Sequence, residues 1–250
     1  METMHTLFYS SIGRYYDYIF PYNPIKKQFT RSFLKAPDRS NILDIGCGTG
    51  DLAMDLADDG NAVYAIDADQ EMIKQAIQKK ASMALDQYPV FRDLDMKRIS
   101  KFFCKHKFDC ITCFGNTLVH LQDEKEIADF LKASFNVLTE NGVLLIQILN
   151  YEYILRDKID ELPVIENDTV RFNRYYEQTD NNHLDFVTYL TIKEDQSALK
   201  NRIKLYPIIK QQLIQLLHES GFGNIQFYGD FKKNPFNENA LPLLIRAVKQ

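Results

Sequence analysis

Short apolar runs alternate with amphipathic stretches along residues 41–149. The apolar runs, each long enough for one strand, are NILDIG from 41, AVYAID from 62, PVFRD from 89, FDCITCF from 108 and GVLLIQIL from 142. Stretches near 50–58, 69–82 and 123–137 carry apolar residues at helical spacing. This alternation predicts an α/β fold built on a doubly wound, mostly parallel sheet with helices on both faces.

The pattern changes after Asn150. Residues 170–206 alternate apolar and polar positions with a period of two around a polar break at Asp180, Asn181 and Asn182. This alternation predicts antiparallel strands, three of them, in a segment that spans 151–206. A helical pattern resumes at Pro207, and the runs NIQFYG and PLLIRAVK then add two strands. We therefore predict a seven-stranded sheet formed by 1–150 and 207–250, with a small antiparallel β cap inserted between them.

We predict that the first 35 residues form a helical segment. It is rich in aromatic side chains, which include Tyr15, Tyr16, Tyr18, Phe20, Tyr22, Phe29 and Phe33. So many aromatic residues ahead of the first strand indicate that this segment packs on another part of the protein. The sequence leaves two alternatives open: the segment packs against the sheet edge, or it covers a site as a lid.

Composition narrows the classes of partner. The chain has 250 residues, of which 45% are hydrophobic, so it buries a core without disulfide or metal staples. The net charge is -4 and the basic residues are scattered, so we expect no nucleic-acid partner and no membrane surface. We expect a cytoplasmic protein, since no basic leader or apolar run of about 20 residues is present. For the oligomeric state, the sequence leaves a monomer and a homodimer open.

The four cysteines include one C-x-x-C spacing, at Cys110 and Cys113. Both fall in a strand, where an offset of three places side chains on opposite faces. We therefore interpret the cysteines as buried free thiols and expect no metal site.

Three glycines at alternate positions follow the first strand directly, at Gly46, Gly48 and Gly50. Glycines there allow a tight turn and let a ligand approach the backbone, at the strand ends where doubly wound sheets bind ligands. A dinucleotide fingerprint requires another glycine at position 51, where this chain has an aspartate that would repel pyrophosphate. A nicotinamide-dependent oxidoreductase is therefore a disfavoured alternative.

The run from Ile42 to Gly50 resembles the first motif of class I S-adenosylmethionine-dependent methyltransferases, D-x-G-x-G-x-G after a hydrophobic strand. The resemblance implies a Rossmann-like domain whose glycine loop, with Cys47, wraps the methionine part of S-adenosylmethionine. It also implies that Asp44 lies near the ammonium of that cofactor. The inserted cap and the N-terminal segment resemble the variable substrate caps of the family.

Asp67 ends the second strand, about twenty residues after the glycine loop. A carboxylate there accepts hydrogen bonds from both hydroxyls of a ribose. A dehydrogenase carries the same acid, so Asp67 indicates a nucleoside site without choosing among nucleosides. Ala68 and Met72, which follow it, are assigned to the same site.

Further along, the stretch from Phe91 to Met96 resembles the adenine-binding segment of the family. By position Asp93 accepts from the exocyclic amine and Leu94 contributes a backbone amide and an apolar contact. Asp95 is a competing assignment, and a solvated turn is the alternative to both.

After the fourth strand, the run from Gly115 to Leu121 resembles the G-N-x-x-x-H-L form seen in methyltransferases of small amines and acids. The resemblance implies that residues 113–116, which include Cys113, Phe114 and Asn116, border the methionine part and that Asn116 and His120 face the transfer site. His120 is a candidate general base. Tyr16 and Tyr175 are candidates for orienting the acceptor or surrounding the sulfonium.

The sequence thus predicts an S-adenosylmethionine-dependent methyltransferase with a small-molecule acceptor, nitrogen ahead of oxygen or carbon. A catalytically silent S-adenosylmethionine-binding regulatory protein is the other alternative. The sequence does not identify the methyl acceptor, because the segments that would recognise it resemble the variable parts of the family.

Overall fold

The computed structural model describes residues 11–83, 87–178 and 182–250, without the side chain of Gln178. Its strands are β1 Asn41–Ile45, β2 Ala62–Asp67, β3 Val90–Asp93, β4 Phe108–Cys113, β5 Leu138–Leu149, β6 Glu161–Glu166, β7 Val170–Gln178, β8 Leu184–Ile192, β9 Ala198–Leu205, β10 Phe222–Tyr228 and β11 Pro242–Lys249. Its α-helices are α1 Tyr16–Ile19, α2 Ile25–Arg31, α3 Asp51–Asp58, α4 Gln70–Ser82, α5 Ile99–Phe102, α6 Glu124–Val137, α7 Tyr151–Arg156 and α8 Lys210–Glu219.

Seven of these strands form one sheet in the order β10, β11, β5, β4, β1, β2, β3. The five from β3 to β5 run parallel, and β11 is antiparallel to both of its neighbours. The predicted α/β class and the mostly parallel seven-stranded sheet are therefore confirmed. Because the chain leaves β1 for β2 on one side and places β4 on the other, a crevice opens at the carboxyl end of β1.

Alternate residues of the central strands belong to two apolar clusters, one on each side of the sheet. Leu43 and Ile45 of β1 pack with α6 and α8, whereas Ile42 packs with α2 and α3. Cys113 and Cys110 likewise belong to different clusters, which confirms the predicted opposite faces. All four cysteines are free thiols, but Cys104 is exposed and was expected to be buried.

The cap is a separate antiparallel sheet in the order β6, β7, β8, β9. It has one strand more than the pattern predicted. The extra strand, β6, is an edge strand that contains Pro163 and a register shift, so it lacks the period-two signal. The inward face of the cap shares its apolar cluster with the main sheet, through Phe172, Leu190 and Ile203. The predicted domain boundaries at 150 and 207 stay a prediction.

Two other elements differ in detail from the expectation. The helix predicted from Pro207 begins at Lys210, because the backbone of Ile209 is extended and its N–H donates to Gln212 Oε1. The N-terminal segment contains α1 and α2 within the described range. Residues 1–10 of the predicted lid, and Asp180 and Asn181 of the predicted break, lie outside the described residues. No helix of the described ranges is long and apolar enough to cross a bilayer.

Candidate functional site

A cavity of about 290 Å³ opens where β1, β2, β3 and β4 end. Its lining comes from α1, from the glycine loop after β1, and from the segments that follow β2, β3 and β4. The lining residues are Tyr16, Ile45, Gly46, Gly48, Asp67, Ala68, Asp69, Met72, Leu94, Asp95, Met96, Lys97, Phe114, Gly115, Thr117, His120, Leu121 and Gln122. The strand order thus brings together in one cavity segments that are far apart in sequence.

The glycine loop turns through three left-handed positions, with φ of +68° at Gly46, +56° at Gly48 and +86° at Gly50. A Cβ at position 48 would lie 3.0 Å from Tyr16 Oη, and one at position 50 would lie 2.5 Å from the ring of Phe91. The loop therefore needs glycine both for its backbone angles and for the approach of these rings.

Most amides of the loop are already bonded within the protein. The N–H groups of Gly46 and Cys47 donate to Ile66 O at 2.8 and 3.0 Å, and that of Gly50 donates to Cys47 O at 3.0 Å. Gly48 N donates to Asp67 Oδ2 at 2.9 Å. The loop thus offers a ligand close approach to its backbone rather than a row of free donors. Of the predicted loop residues, Gly46 and Gly48 line the cavity, whereas Cys47 and Gly50 do not.

Asp67 lies at the end of β2 with both carboxylate oxygens engaged by backbone donors. Oδ2 accepts from Gly48 N and Oδ1 accepts from Asp69 N, each at 2.9 Å. Each oxygen keeps a second lone pair, and the side chain borders the cavity. Burial raises the pKa of Asp67 to about 6, so the group is mainly ionised at neutral pH. Asp67 can therefore still accept hydrogen bonds from a ligand while it positions the loop.

Asp44 is buried beneath the glycine loop and does not line the cavity. Its Oδ1 accepts from Thr112 Oγ1 at 2.7 Å, which ties β1 to β4. Burial raises the pKa of Asp44 to about 6, and the nearby Lys26 ammonium opposes this shift. Burial in turn lowers the pKa of Lys26. The Asp44 carboxylate thus lies under the loop with a cation nearby.

After β3, the two candidate acids lie in different places. Asp93 is exposed and accepts from Gln70 Nε2 at 2.8 Å, whereas Asp95 lines the cavity and accepts from Lys97 N. Leu94 also lines the cavity, but its N–H donates to Asp67 O at 2.9 Å. Among these residues the structure therefore brings Leu94 and Asp95 to the cavity and leaves Asp93 outside it.

Of the predicted residues at and after the end of β4, some line the cavity and others do not. Phe114, Gly115, Thr117 and His120 line the cavity, whereas Cys113 is buried away from it. The Asn116 amide is bonded elsewhere: Nδ2 donates to Tyr151 Oη at 2.7 Å, and Oδ1 accepts from Leu149 N at 3.0 Å. Asn116 is therefore not among the residues that face the cavity.

Helix α1 is tied to the glycine loop by a charged network. Thr49 Oγ1 donates to Asp17 Oδ1 at 2.6 Å. Lys79 Nζ, from α4, lies 2.6 Å from Asp17 and 3.0 Å from Asp51. This network places Tyr16 over Gly48. It also leaves Asp51 at the start of α3, where a pyrophosphate would have to bind in a dinucleotide site.

Sequence reasoning missed several lining residues, namely Ile45, Asp69, Met96, Lys97, Thr117, Leu121 and Gln122. Their common signal was position, since each lies within a few residues of a predicted strand end or of the G-N-x-x-x-H-L run. Tyr175, a candidate from the cap, points to the outer face and packs on Tyr189. Among the described residues, no group of three or more side chains is placed to hold a metal ion.

Comparison with known proteins identifies relatives of one kind. A family described as a methyltransferase domain matches residues 42–142. A glycine/sarcosine N-methyltransferase from Aphanothece halophytica is 27% identical over 208 residues, which cover 82% of this chain and 75% of that protein.

Two solved structures share the fold over almost the whole chain. An S-adenosylmethionine-dependent methyltransferase from Clostridium acetobutylicum has a TM-score of 0.76 at 19% identity, covering 96% of this chain and 98% of that one. The CcbJ methyltransferase from Streptomyces caelestis has a TM-score of 0.81 at 17% identity, covering 96% of each chain. The match includes both the central sheet and the cap.

Proposed function

Because the chain belongs to the class I S-adenosylmethionine-dependent methyltransferases and uses S-adenosylmethionine, we propose that it methylates a nitrogen atom of a small-molecule acceptor. The observation that carries the proposal is the cavity itself. Its lining includes the glycine loop and Asp67 together with Tyr16 and His120.

The residues present fit the cofactor. The Cα of Gly48 is open to the cavity, and a side chain there would meet Tyr16. Asp67 keeps lone pairs for a ribose diol, and Asp95 and Leu94 border the next stretch of the cavity, where an adenine would bind. When bound, S-adenosylmethionine supplies a methyl group already activated on a positive sulfur. The chain's own task is therefore to position the acceptor and exclude water, which supplies roughly 7–11 kcal/mol of barrier reduction.

We assign the acceptor end to Tyr16 and His120. An amine is protonated at neutral pH, and its nitrogen attacks only after losing that proton. An imidazole titrates near neutrality and is suited to accept it. The Tyr16 ring lies against the glycine loop, where it can orient the acceptor and attract a cation.

Two observations support nitrogen over oxygen or carbon. The relative from Aphanothece halophytica is named a glycine/sarcosine N-methyltransferase. The run from Gly115 to Leu121 also resembles the form seen in methyltransferases of small amines and acids.

Methyl transfer from labelled S-adenosylmethionine to a panel of primary and secondary amines, phenols and hydroxy acids tests the proposal. We expect label on nitrogen and a lower kcat for His120→Gln, with unchanged binding of S-adenosylhomocysteine. His106→Gln is the matched control, because His106 lies in an aromatic cluster with Tyr64 and Phe108, outside the cavity lining. Label on oxygen or carbon alone, or cofactor binding without transfer to any amine, would contradict nitrogen methylation.

A further inference from the structure

A row of three polar side chains crosses the inward face of the cap. Arg174, Thr188 and Asn201 are directly opposite one another on β7, β8 and β9. From this row we infer that the cap carries a recognition site for a carboxylate on the methyl acceptor, with Arg174 as its cation. This inference rests on the proposed function and names the class of acceptor, an amine that bears a carboxylate.

The row lies on the side of the cap that faces the main sheet. Phe172 and Tyr176, two residues before and after Arg174 on β7, share its face because strand side chains alternate. Both are buried, in the same apolar cluster as the central sheet. Thr188 is fully buried, with 0% of its surface exposed. The row therefore interrupts an otherwise apolar, inward-facing surface.

The cap strands span the distance between the two acceptor-side residues of the cavity. At one end, the Phe172 ring packs on Phe20 at 5.9 Å, and Phe20 packs on Tyr16 at 5.3 Å. At the other end, Tyr206 N donates to Val119 O at 2.9 Å, beside His120. Arg174 lies between these two anchor points. The row therefore lies on the inward face of the cap between these two contacts, and none of its three residues is among those that line the cavity.

The row presents donors for which the protein supplies no acceptor. Arg174 Nε, Thr188 Oγ1 and Asn201 Nδ2 are buried and have no hydrogen-bond partner among the described residues. Within the described ranges, the guanidinium of Arg174 donates from Nη2 to Pro163 O at 2.6 Å. Nε–H and the amide Nδ2 only donate, and a hydroxyl can donate as well. Three unpaired donors in a row match a ligand group that only accepts, such as a carboxylate.

The charge of Arg174 points to an anion. Within the described part of the chain, Arg174 takes part in no ion pair, whereas the outward-facing Arg171 and Arg202 pair with Glu166 and with Glu177 and Asp185. Burial lowers the pKa of Arg174, which reflects the loss of water around the cation. A partly buried guanidinium without a counter-ion is costly unless a bound group supplies the charge.

Calorimetric titration of the protein loaded with S-adenosylhomocysteine tests the site without requiring turnover. The ligands are glycine, sarcosine and 4-aminobutyrate, with glycinamide as the neutral match of glycine. We expect glycine or one of the other carboxylates to bind, and Arg174→Met to weaken that binding about tenfold or more, since charge-assisted hydrogen bonds are lost. Glycinamide should bind weakly to both proteins.

Two further variants make the result specific. Arg171→Met removes an arginine from the opposite face of the same strand and should leave carboxylate binding unchanged. Thr188→Val keeps the shape of the row, removes one hydroxyl, and should weaken carboxylate binding without changing that of S-adenosylhomocysteine. An unchanged affinity for S-adenosylhomocysteine in Arg174→Met shows that this variant is folded.

The inference is overturned if no carboxylate binds the wild-type protein at tens of millimolar, if glycinamide binds as tightly as glycine, or if Arg174→Met matches the wild type. Carboxylate binding through Arg174 without methyl transfer to any amine would support the carboxylate site and refute the proposed function. Methylation of neutral amines alone would support the proposed function and refute the carboxylate site.

Discussion

Asp67 accepts hydrogen bonds from two backbone amides, and burial raises its pKa to about 6. We propose that the ionised form also accepts hydrogen bonds from the ribose hydroxyls of the cofactor. The sequence could predict that an acid ends β2. It could not predict that the same carboxylate fixes the conformation of the glycine loop, because that depends on the turn taken after β1.

Lowering the pH should therefore weaken cofactor binding. Below about 6 Asp67 gains a proton and loses acceptor strength, so affinity for S-adenosylhomocysteine should fall about tenfold between pH 7.5 and pH 5. Calorimetry on wild type and Asp67→Asn checks this, since the variant cannot titrate at this position. An equal pH dependence in both proteins would rule Asp67 out as the titrating group.

The same raised pKa values affect stability in a defined direction. The folded protein holds protons on Asp44 and Asp67 up to about pH 6, whereas the ordinary value is 3.8. The folded state therefore binds more protons in this window, and the contribution of these groups to the free energy of unfolding decreases as the pH rises from 3.8 to about 6. Denaturant titration of wild type and Asp67→Asn across this window should show the smaller decrease in the variant. A larger decrease in the variant would show the opposite linkage.

Gly48→Ala should damage both stability and binding. The position has φ +56°, and the added Cβ would lie 3.0 Å from Tyr16 Oη. We expect a loss of about 1–2 kcal/mol in the free energy of unfolding, measured by denaturant titration. We also expect weaker binding of S-adenosylhomocysteine.

Gly221→Ala is the matched control for this change. Gly221 also has a positive φ, +99°, and its Cβ would lie 2.9 Å from Phe135, away from the cavity. It should lose stability without losing affinity. If both variants bound S-adenosylhomocysteine like wild type, the glycine loop would not be the binding surface.

At the scale of elements, the parallel strands and their helices followed from the alternation of apolar runs, because each is long and strongly patterned. The extra cap strand, β6, could not be predicted from this alternation, since Pro163 and a register shift break its pattern. The sequence also does not determine which side chains after β3 and β4 reach the cavity. Spacing alone does not say that Asp95 rather than Asp93 reaches the cavity, or that Asn116 turns to Tyr151.

Lys79→Met should loosen the packing of helix α1 on the glycine loop. Lys79 Nζ holds Asp17 of α1 and Asp51 of α3 together, and it bonds Thr49 of the glycine loop at 2.9 Å. Without it two carboxylates repel each other beside the loop. We expect severalfold weaker binding of S-adenosylhomocysteine and faster chymotrypsin cleavage near Tyr16.

Lys74→Met serves as the control on the same helix. Lys74 is exposed, and among the described residues its Nζ pairs with Glu71 alone, at 3.4 Å, so its loss should change neither readout. If the two variants showed the same affinity for S-adenosylhomocysteine and the same rate of cleavage, the network would not be what holds helix α1 on the glycine loop.

At the scale of the whole molecule, one sheet brings four strand ends to a single cavity, and the cap contacts the segments that carry Tyr16 and His120. The strand order was predictable in class, because parallel strands with helical crossovers leave few topologies. The direction in which the cap faces was not, since it depends on contacts such as Phe172 with Phe20 between segments about 150 residues apart.

The central claim is that the cavity formed by the glycine loop and Asp67 binds the methyl donor. Calorimetric titration of the whole protein with S-adenosylhomocysteine, in wild type and Asp67→Ala, tests it most directly. The account predicts one bound molecule per chain at micromolar concentration and the loss of most of that affinity in the variant. Absence of wild-type binding at tens of micromolar, or equal binding by both proteins, would contradict it.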